Sequence, residues 1–442
     1  MARPLVAAAP GLFRPGAPVL VPPSPGSPST NAYNDSLSAL PALRTNLDFM
    51  PSPDPARPGL LIRDPYHYSD ASLLIPPALV QCLANFDGEH TELDLRADLV
   101  HATGEIQVGP IEKQLFDALN QAGFLDNTAY REMRVAREAE FAAAPVREAA
   151  FAGNAYPDDR AELQGLLDSA IGESQGTDGV IAVAAPHASP EASWQTYRAA
   201  YQSLPTREEA AGRTFVVLGT SHYGAPEFFG LTRKSFATPF GAARPAVDLI
   251  DELALRAASA VRMEDYCHAV EHSIEFQIIF LQHLYGENVS ILPILCGPFV
   301  SSLFGGGLPE KTERVAKFFD VAGEIFAREG KRLFFVLGVD MAHMGRRYGD
   351  QRSVTANEGE MLSVKDRDHE RIRQLEFADA RAYWDLIQQN EDDLKWCGSA
   401  PLYTFLRTVP GVSGELLRYH QWQIDPHSVV SFGAMKFRRT RG

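Results

Sequence analysis

Cysteine is scarce in this chain of 442 residues, and its four cysteines lie far apart with no C-x-x-C spacing. This scarcity excludes a disulfide framework and a zinc ribbon, and it favours a reducing, cytoplasmic compartment. Positive charge is also in short supply, because 41 Lys and Arg stand against 56 Asp and Glu, for a formal net charge of −15. Such a chain is poorly suited to gripping a phosphate backbone, so we expect no nucleic-acid partner.

Long apolar runs are missing as well. No uninterrupted run approaches the roughly 20 residues that a bilayer requires, so we expect no membrane partner. The short apolar run at residues 5–9 is followed by Pro10, Pro15 and Pro18. A secretory leader needs a longer apolar segment without proline, so none is expected here.

Proline is concentrated near the N-terminus, where 13 of the 31 prolines fall within the first 60 residues. This composition predicts that residues 1–58 are disordered or extended, because they cannot bury enough apolar surface to offset the entropy of ordering. Residues 59–128 are predicted to form a small separate unit. Residues 129–150, rich in Ala, Glu and Arg, are predicted to be a helical connector, and residues 151–438 form the main domain.

The small unit is expected to be mainly helical. Residues 60–62 can form a short strand, and apolar spacing predicts helices at residues 75–85, 91–101 and 108–121, followed by Gly123-Phe124-Leu125. This pattern resembles the PqqD-like winged-helix units that bind peptides in modified-peptide biosynthesis. A winged-helix-like packing module without a ligand explains the same pattern.

The main domain shows an alternation of apolar strands and helical stretches. Its predicted strands are residues 180–185, 214–218, 289–295, 333–337 and 428–436. Strands separated by helices indicate βαβ units. The fold class is therefore α/β, with a mainly parallel central sheet between two layers of helices.

Histidines follow three of these strands. His187 follows the first strand, His222 follows the second, and Asp340 and His343 follow the fourth. A single histidine at a strand end is typically structural. The carboxyl ends of parallel strands share one edge of the sheet, however, and ligands of open α/β folds bind there. The three strand ends therefore predict a shared metal or catalytic site.

A fourth candidate element runs from Cys267 to Glu275. His268, Glu271, His272 and Glu275 stand at i, i+3, i+4 and i+7, a spacing that predicts one shared helical face. The segment also matches H-x-x-E-H, in which two histidines bind zinc and the glutamate activates water. Because so short a match is common by chance, a zinc hydrolase is kept only as a remote alternative.

Cys397 precedes a glycine turn in the segment Trp396-Cys397-Gly398. Such a cysteine is either a small buried hydrophobe or a metal ligand. With its pKa lowered by a metal, the thiolate is a soft ligand that favours iron, copper or zinc over magnesium. The residues alone leave both interpretations open.

Six short motifs occur in one order along the chain. They are Ala152-Gly153-Asn154-Ala155-Tyr156-Pro157, Ala185-Pro186-His187-Ala188, Leu218-Gly219-Thr220-Ser221-His222, Glu271-His272-Ser273-Ile274-Glu275, Asp340-Met341-Ala342-His343 and Cys397-Gly398-Ser399-Ala400-Pro401. This order resembles that of the Memo family, whose bacterial members are called AmmeMemoRadiSam system protein B. The resemblance spans residues 151–436 and implies a fold similar to the class III extradiol dioxygenases, a central sheet with helices on both faces.

The resemblance implies a mononuclear metal site of two histidines and one cysteine. The matching residues of this chain are His187, His222 and Cys397. The other pocket positions of the family match Asp340, His343, Glu271 and His272. Relatives bind copper or iron and are linked to redox chemistry, so the implied cofactor is iron or copper, with zinc as a further option.

Two loops depart from the family pattern. Residues 189–194 replace an aromatic and glycine-rich stretch, and Tyr223 replaces a second histidine. The implied activity is redox or dioxygenase-like, with His343 and Asp340, or His272 held by Glu271, as acid and base. The substrate is a small molecule or a peptide, and a radical-SAM or peptide-modification system is the candidate partner. The rival interpretation is a peptide- or phosphopeptide-binding protein without catalysis.

Overall fold

The structure, a computed structural model, describes residues 38–176 and 178–440. These residues form two compact units, one ending at Glu140 and the other beginning at Phe141. Most of the segment predicted to be disordered, residues 1–37, lies outside the described residues. Among the described residues, no helix combines the length and the apolar character needed to cross a bilayer.

The first unit combines a small antiparallel sheet with helices. Its elements are β1 (Asp48–Pro51), β2 (Leu60–Arg63), β3 (Ser72–Ile75), α1 (Glu92–Thr103), α2 (Gly109–Gln121) and α3 (Thr128–Ala143), the last of which runs past the boundary between the units. The strands pair in the order β1-β2-β3. Helix α1 begins at a capping box, in which Thr91 and Asp94 bind each other's backbone N–H groups.

The predicted helix over residues 75–85 is wrong, whereas those at 91–101 and 108–121 are confirmed as α1 and α2. Ile75 ends β3, and two short 3₁₀ turns follow at Pro77–Leu79 and Gln81–Asn85. The reason is the Pro76-Pro77 pair. Proline lacks a backbone N–H and disfavours the helical conformation of the residue before it, so a helix cannot continue from Ile75.

The second unit is built on a 12-stranded sheet. Its strands are β4 (Val146–Arg147), β5 (Val180–Ala185), β6 (Thr214–Thr220), β7 (Phe229–Leu231), β8 (Ser235–Thr238), β9 (Gly241–Pro245), β10 (Val261–Met263), β11 (Ser290–Cys296), β12 (Leu333–Gly338), β13 (His343–Gly345), β14 (Val412–Asp425) and β15 (Ser428–Arg439). Its helices are α4 (Arg160–Ala170), α5 (Trp194–Tyr201), α6 (Val247–Arg256), α7 (Cys267–Val270), α8 (Glu275–Tyr285), α9 (Val300–Gly305), α10 (Glu313–Glu329), α11 (Glu360–Glu376), α12 (Ala380–Gln388) and α13 (Ser399–Thr408).

The main path of the sheet runs β13-β15-β5-β12-β6-β11-β9-β8-β4. Strands β5, β12, β6 and β11 are parallel neighbours, and β15 joins β5 in antiparallel register. All five predicted strands are confirmed. They could be predicted because each is a nearly continuous apolar run, which a strand in a sheet buried on both faces requires. Strand β14 was missed in the sequence, since its half-buried polar and aromatic residues lack that signature.

Successive residues of the central strands point into two different cores. On β6, for example, Val216 and Leu218 pack in one core with helices α6, α10 and α13, while Phe215 and Val217 pack in the other with α4, α5 and α8. Side chains alternate between the faces of a strand, so both faces of the sheet are covered by helices. The predicted α/β fold with a large, mostly parallel central sheet is confirmed.

Candidate metal centre

The carboxyl ends of β5, β12 and β6 lie side by side. Gly338 of β12 pairs with Ala185 of β5 and with Gly219 of β6. His187 and His222 follow these aligned ends by two and three residues, and their ring centroids are 5.0 Å apart. The parallel register therefore brings together the strand ends that the sequence placed on one edge.

A third imidazole completes a triangle with these two. The ring centroid of His272 is 5.0 Å from that of His187 and 5.0 Å from that of His222. One ring nitrogen from each histidine lies within 4.8 Å of the other two. His187 and His272 are buried, and only 5% of the His222 side chain is exposed. Three shielded nitrogens at this spacing form a set that could hold one metal ion.

His272 reaches the triangle because the helix predicted around it is broken. Helix α7 ends at Val270, Glu271 has an extended backbone (φ −87°, ψ 133°), and α8 begins only at Glu275. The expectation of one helical face from His268 to Glu275 is therefore wrong. The physical reason is that the Glu271 carboxylate accepts hydrogen bonds from nearby backbone N–H groups, which competes with helix formation.

His268 lies outside the triangle. Its Nε2 is 3.1 Å from the carbonyl oxygen of Gly230, and its ring packs edge-on against Phe236. Burial lowers the pKa of His268 to about 4. The arrangement that an H-x-x-E-H site needs, two histidines one turn apart on a helix, is absent at these residues.

Glu271 orients two of the three imidazoles. Its carboxylate accepts hydrogen bonds from the backbone N–H of His222 (2.9 Å), His272 (3.0 Å) and Ser273 (3.2 Å), and from Nδ1 of His222 (3.0 Å). Burial alone would lower the pKa of His222, but the charge and hydrogen bonds of Glu271 outweigh it and raise that pKa. With Nδ1 of His222 bound to Glu271, Nε2 is the nitrogen left to face a ligand.

His187 is held in a comparable way from the other side. Its Nδ1 donates to the carbonyl oxygen of Gly338 at 2.9 Å, and its backbone N–H donates to Oδ1 of Asp340 at 3.0 Å. Burial lowers the pKa of His187, so the neutral ring is favoured. A ring whose Nδ1 carries the proton leaves Nε2 as an electron-pair donor.

Cys397 lies against that free nitrogen, with Sγ 3.2 Å from Nε2 of His187. Its turn is held by two hydrogen bonds, from Gly398 N–H to Asp340 O (3.1 Å) and from the Thr220 hydroxyl to Cys397 O (3.0 Å). Burial raises the pKa of the Cys397 thiol well above its ordinary value. A bound cation would reverse that preference and stabilise the thiolate.

The two predicted acid–base residues flank the triangle. Oδ2 of Asp340 is 3.6 Å from Nε2 of His187. His343 begins β13, so it does not share a helical turn with Asp340. Its Nδ1 lies 3.0 Å from the carbonyl oxygen of Met341 and 3.1 Å from that of Lys395. Burial lowers the pKa of His343 to about 4, although the charge of the nearby Asp340 opposes this shift.

Further residues that support the site did not stand out in the sequence. The Ser273 hydroxyl donates to Thr220 O at 2.9 Å, and the buried Gln277 amide donates to Pro186 O at 2.9 Å. Both tie the start of α8 to the strand ends that carry the histidines. Ser273 and Thr220 lie inside quoted motifs, but nothing in the pattern of residues distinguishes Gln277 from an ordinary helical glutamine.

Comparison with known proteins shows the family of this chain. Residues 147–436 match the family model described as Memo-like protein. A MEMO1 family protein of Aquifex aeolicus is 24% identical over 381 residues, which cover 85% of this chain and 95% of that protein. One from Thermococcus kodakarensis is 29% identical over 310 residues, covering 66% and 100%. Another, from Thermoplasma acidophilum, is 33% identical over 153 residues, covering 34% and 56%. The family model covers more than half of the chain, which therefore belongs to the Memo family.

Proposed function

We propose that this protein binds one iron or copper ion at the carboxyl edge of its sheet and uses the site for redox or dioxygenase-like chemistry. The observation that carries the proposal is the convergence of the three imidazoles of His187, His222 and His272, with one nitrogen of each within 4.8 Å of the others. Zinc is a further candidate for the same ligands.

The residues present fit a transition metal. Imidazole nitrogens and a thiol suit iron, copper and zinc, whereas magnesium and calcium prefer oxygen ligands. The Glu271 carboxylate and the Gly338 carbonyl fix the ring protons of His222 and His187 on the nitrogens that point away. Metal-binding histidines typically have such partners. When bound, iron or copper would supply one-electron chemistry and access to dioxygen.

Two residues compete for the third ligand position. The family resemblance assigns it to Cys397, whose Sγ adjoins Nε2 of His187 at 3.2 Å. The close set of ring nitrogens instead includes His272. With Co(II) as a spectroscopic probe, thiolate ligation would produce a sulfur-to-metal charge-transfer band that disappears in Cys397→Ser.

Protons would be handled by groups beside the triangle. Asp340 is close enough to His187 to exchange a proton with a ligand bound there. The Nδ1 of His343 is held by two carbonyl oxygens and so carries the proton, which leaves Nε2 as an acceptor. We assign the acid–base role to Asp340 and His343, and we assign Glu271 to the orientation of His222 and His272.

The wider setting of the proposal comes from the family resemblance. We infer a cytoplasmic enzyme with a fold of the class III extradiol dioxygenase type. Its substrate is a small molecule or a peptide, and a radical-SAM or peptide-modification system is its candidate partner. The altered loops, residues 189–194 and Tyr223, adjoin His187 and His222 in the sequence, so we expect substrate specificity to differ from that of relatives.

Metal analysis tests the proposal. The full chain, purified without oxygen and reconstituted with Fe(II), Cu(I) or Zn(II), should retain one equivalent of metal by mass spectrometry. Ala variants at His187 and His222 should lose it, while His268→Ala should keep it. Failure of the wild-type chain to retain any of the three metals would refute the proposal. Peptide binding by such a metal-free chain would then favour the interpretation as a non-catalytic binding protein. Loss of metal in His268→Ala would instead favour the zinc hydrolase interpretation.

A further inference from the structure

A buried arginine binds helix α7 and Glu271, the first residue of the loop between α7 and α8. Arg147, on the short strand β4, donates from Nε to the carbonyl oxygen of His268 at 2.8 Å and from Nη2 to that of Glu271 at 2.9 Å. Its side chain is 0% exposed. One planar guanidinium thus binds two backbone carbonyls, three residues apart, immediately before His272. Its fixed fork restricts how this loop can move.

Glu275 completes the arrangement from the start of α8. Its carboxylate forms an ion pair with Nη1 of Arg147 and accepts hydrogen bonds from the backbone N–H groups of Ala150 (3.1 Å) and Phe151 (3.0 Å). The Tyr156 hydroxyl donates to the same carboxylate. These four partners of the Glu275 carboxylate all lie within residues 147–156, so the carboxylate anchors that segment to the start of α8.

The same segment also touches an imidazole of the triangle. The ring of Phe151 packs edge-on against that of His272, with centroids 5.6 Å apart, and against that of Phe276 at the same separation. The backbone N–H of Phe151 is one of the groups bound by Glu275. The Arg147–Glu275 pair therefore fixes the segment that carries the Phe151 ring, which packs against His272.

Stability alone does not account for an ion pair at this place. Removing two charges from water is costly, and well-packed apolar side chains of similar volume commonly stabilise a core equally well. An ion pair with directional hydrogen bonds does what apolar packing cannot, because it fixes specific backbone carbonyls and N–H groups in space.

We propose that Arg147 and Glu275 are positioning residues for the metal centre. They hold the loop so that Glu271 reaches His222 and His272 faces His187. The expected effect on metal binding rests on the proposed function, whereas the expected effect on the position of His272 does not. The pair acts on the ligands through the loop and touches none of the reacting atoms.

The test compares Glu275→Gln with a matched control in the full chain. Asp64 of the first unit is an equally buried carboxylate that pairs with Arg44 and accepts backbone N–H bonds from Tyr66 and Ser69. Glu275→Gln should weaken Co(II) binding by up to about 10-fold, the low end of the range for partners bonded directly to metal ligands, because it acts through the loop. It should also alter the visible spectrum of bound Co(II), whereas Asp64→Asn should leave affinity and spectrum unchanged.

A second measurement needs no metal. The side-chain NMR signals of His272 in the metal-free chain should shift or broaden in Glu275→Gln and not in Asp64→Asn. Tyr156→Phe removes one hydrogen bond and keeps the ion pair. It should change the Co(II) affinity and the His272 signals in the same direction as Glu275→Gln, but to a smaller extent. If Glu275→Gln does not fold, Tyr156→Phe takes its place in the test.

The outcomes separate the two proposals. Unchanged His272 signals in both Glu275→Gln and Tyr156→Phe would overturn the positioning role, and so would equal losses of Co(II) affinity in Asp64→Asn. If the wild-type chain binds no Co(II) but His272 still responds to Glu275→Gln, the proposed function fails while the positioning role stands.

Discussion

Replacing Glu271 by Gln should uncouple His222 and His272 while keeping the shape of the side chain. The carboxylate accepts from four donors, namely the backbone N–H of His222, His272 and Ser273, and Nδ1 of His222. A glutamine offers one acceptor oxygen, and its NH₂ group would face donors across the remaining contacts. His272 N–H, Ser273 N–H and Nδ1 of His222 all bind Oε1, so a glutamine oxygen placed there would keep these three, and the hydrogen bond from the His222 backbone N–H to Oε2 would be lost.

The magnitude follows from those contacts. Hydrogen bonds to charged groups contribute about 1.5–3 kcal/mol each, so the lost bond should lower the free energy of unfolding of the second unit by about 1.5–3 kcal/mol. Loss of the group that fixes the His222 ring proton should weaken metal binding by about 10- to 100-fold. Urea denaturation measures the first effect, and titration with Co(II) under native conditions measures the second.

The control is another glutamate of the second unit that accepts hydrogen bonds outside the metal centre. Glu264 accepts from the Thr232 hydroxyl (2.6 Å) and the Arg233 backbone N–H (3.0 Å). Glu264→Gln should destabilise the chain without changing Co(II) affinity. Wild-type Co(II) affinity in Glu271→Gln would refute the reasoning, because it would mean that the carboxylate does not orient the metal ligands.

Three further predictions concern the surroundings of the site. Burial lowers the pKa of His268 from its ordinary 6.5 to about 4, so the unfolded chain binds this proton more tightly than the folded chain. The stability that neutral His268 contributes above pH 6.5, about 3 kcal/mol, should therefore be lost as the pH drops to about 4. Urea denaturation at both pH values should show a smaller fall in His268→Phe. Gly398→Ala should displace the Cys397 turn, because an added Cβ would lie 2.6 Å from the Asp340 carbonyl oxygen. Any thiolate-to-Co(II) charge-transfer band should therefore weaken, and an unchanged band would contradict this prediction. Thr220→Val, nearly the same shape, should lose the hydrogen bond to Cys397 O and about 1 kcal/mol in thermal denaturation, with Thr220→Ser retaining most of it.

Local sequence determined the most apolar strands of the central sheet and half of the candidate site. Apolar runs predicted β5, β6, β11, β12 and β15, because a strand buried on both faces must be apolar along its whole length. His187 and His222 could be placed together without any structure, because parallel strands align their carboxyl ends. The family motifs then added Cys397, which lies 3.2 Å from His187 although 210 residues separate them in the chain.

Only the tertiary structure decided how His272 joins them. The i, i+4 spacing of His268 and His272 predicts one helical face, but Glu271 finds hydrogen-bond donors on the His222 loop and its own backbone, and the helix breaks. The Arg147–Glu275 pair joins residues 128 positions apart, and Arg147 lies in a segment whose composition predicts only a connector. The periodicity of apolar residues predicts which face of an element is buried. The partner of a buried charge is instead a residue that the fold brings close to it, and that residue can lie far away in the sequence.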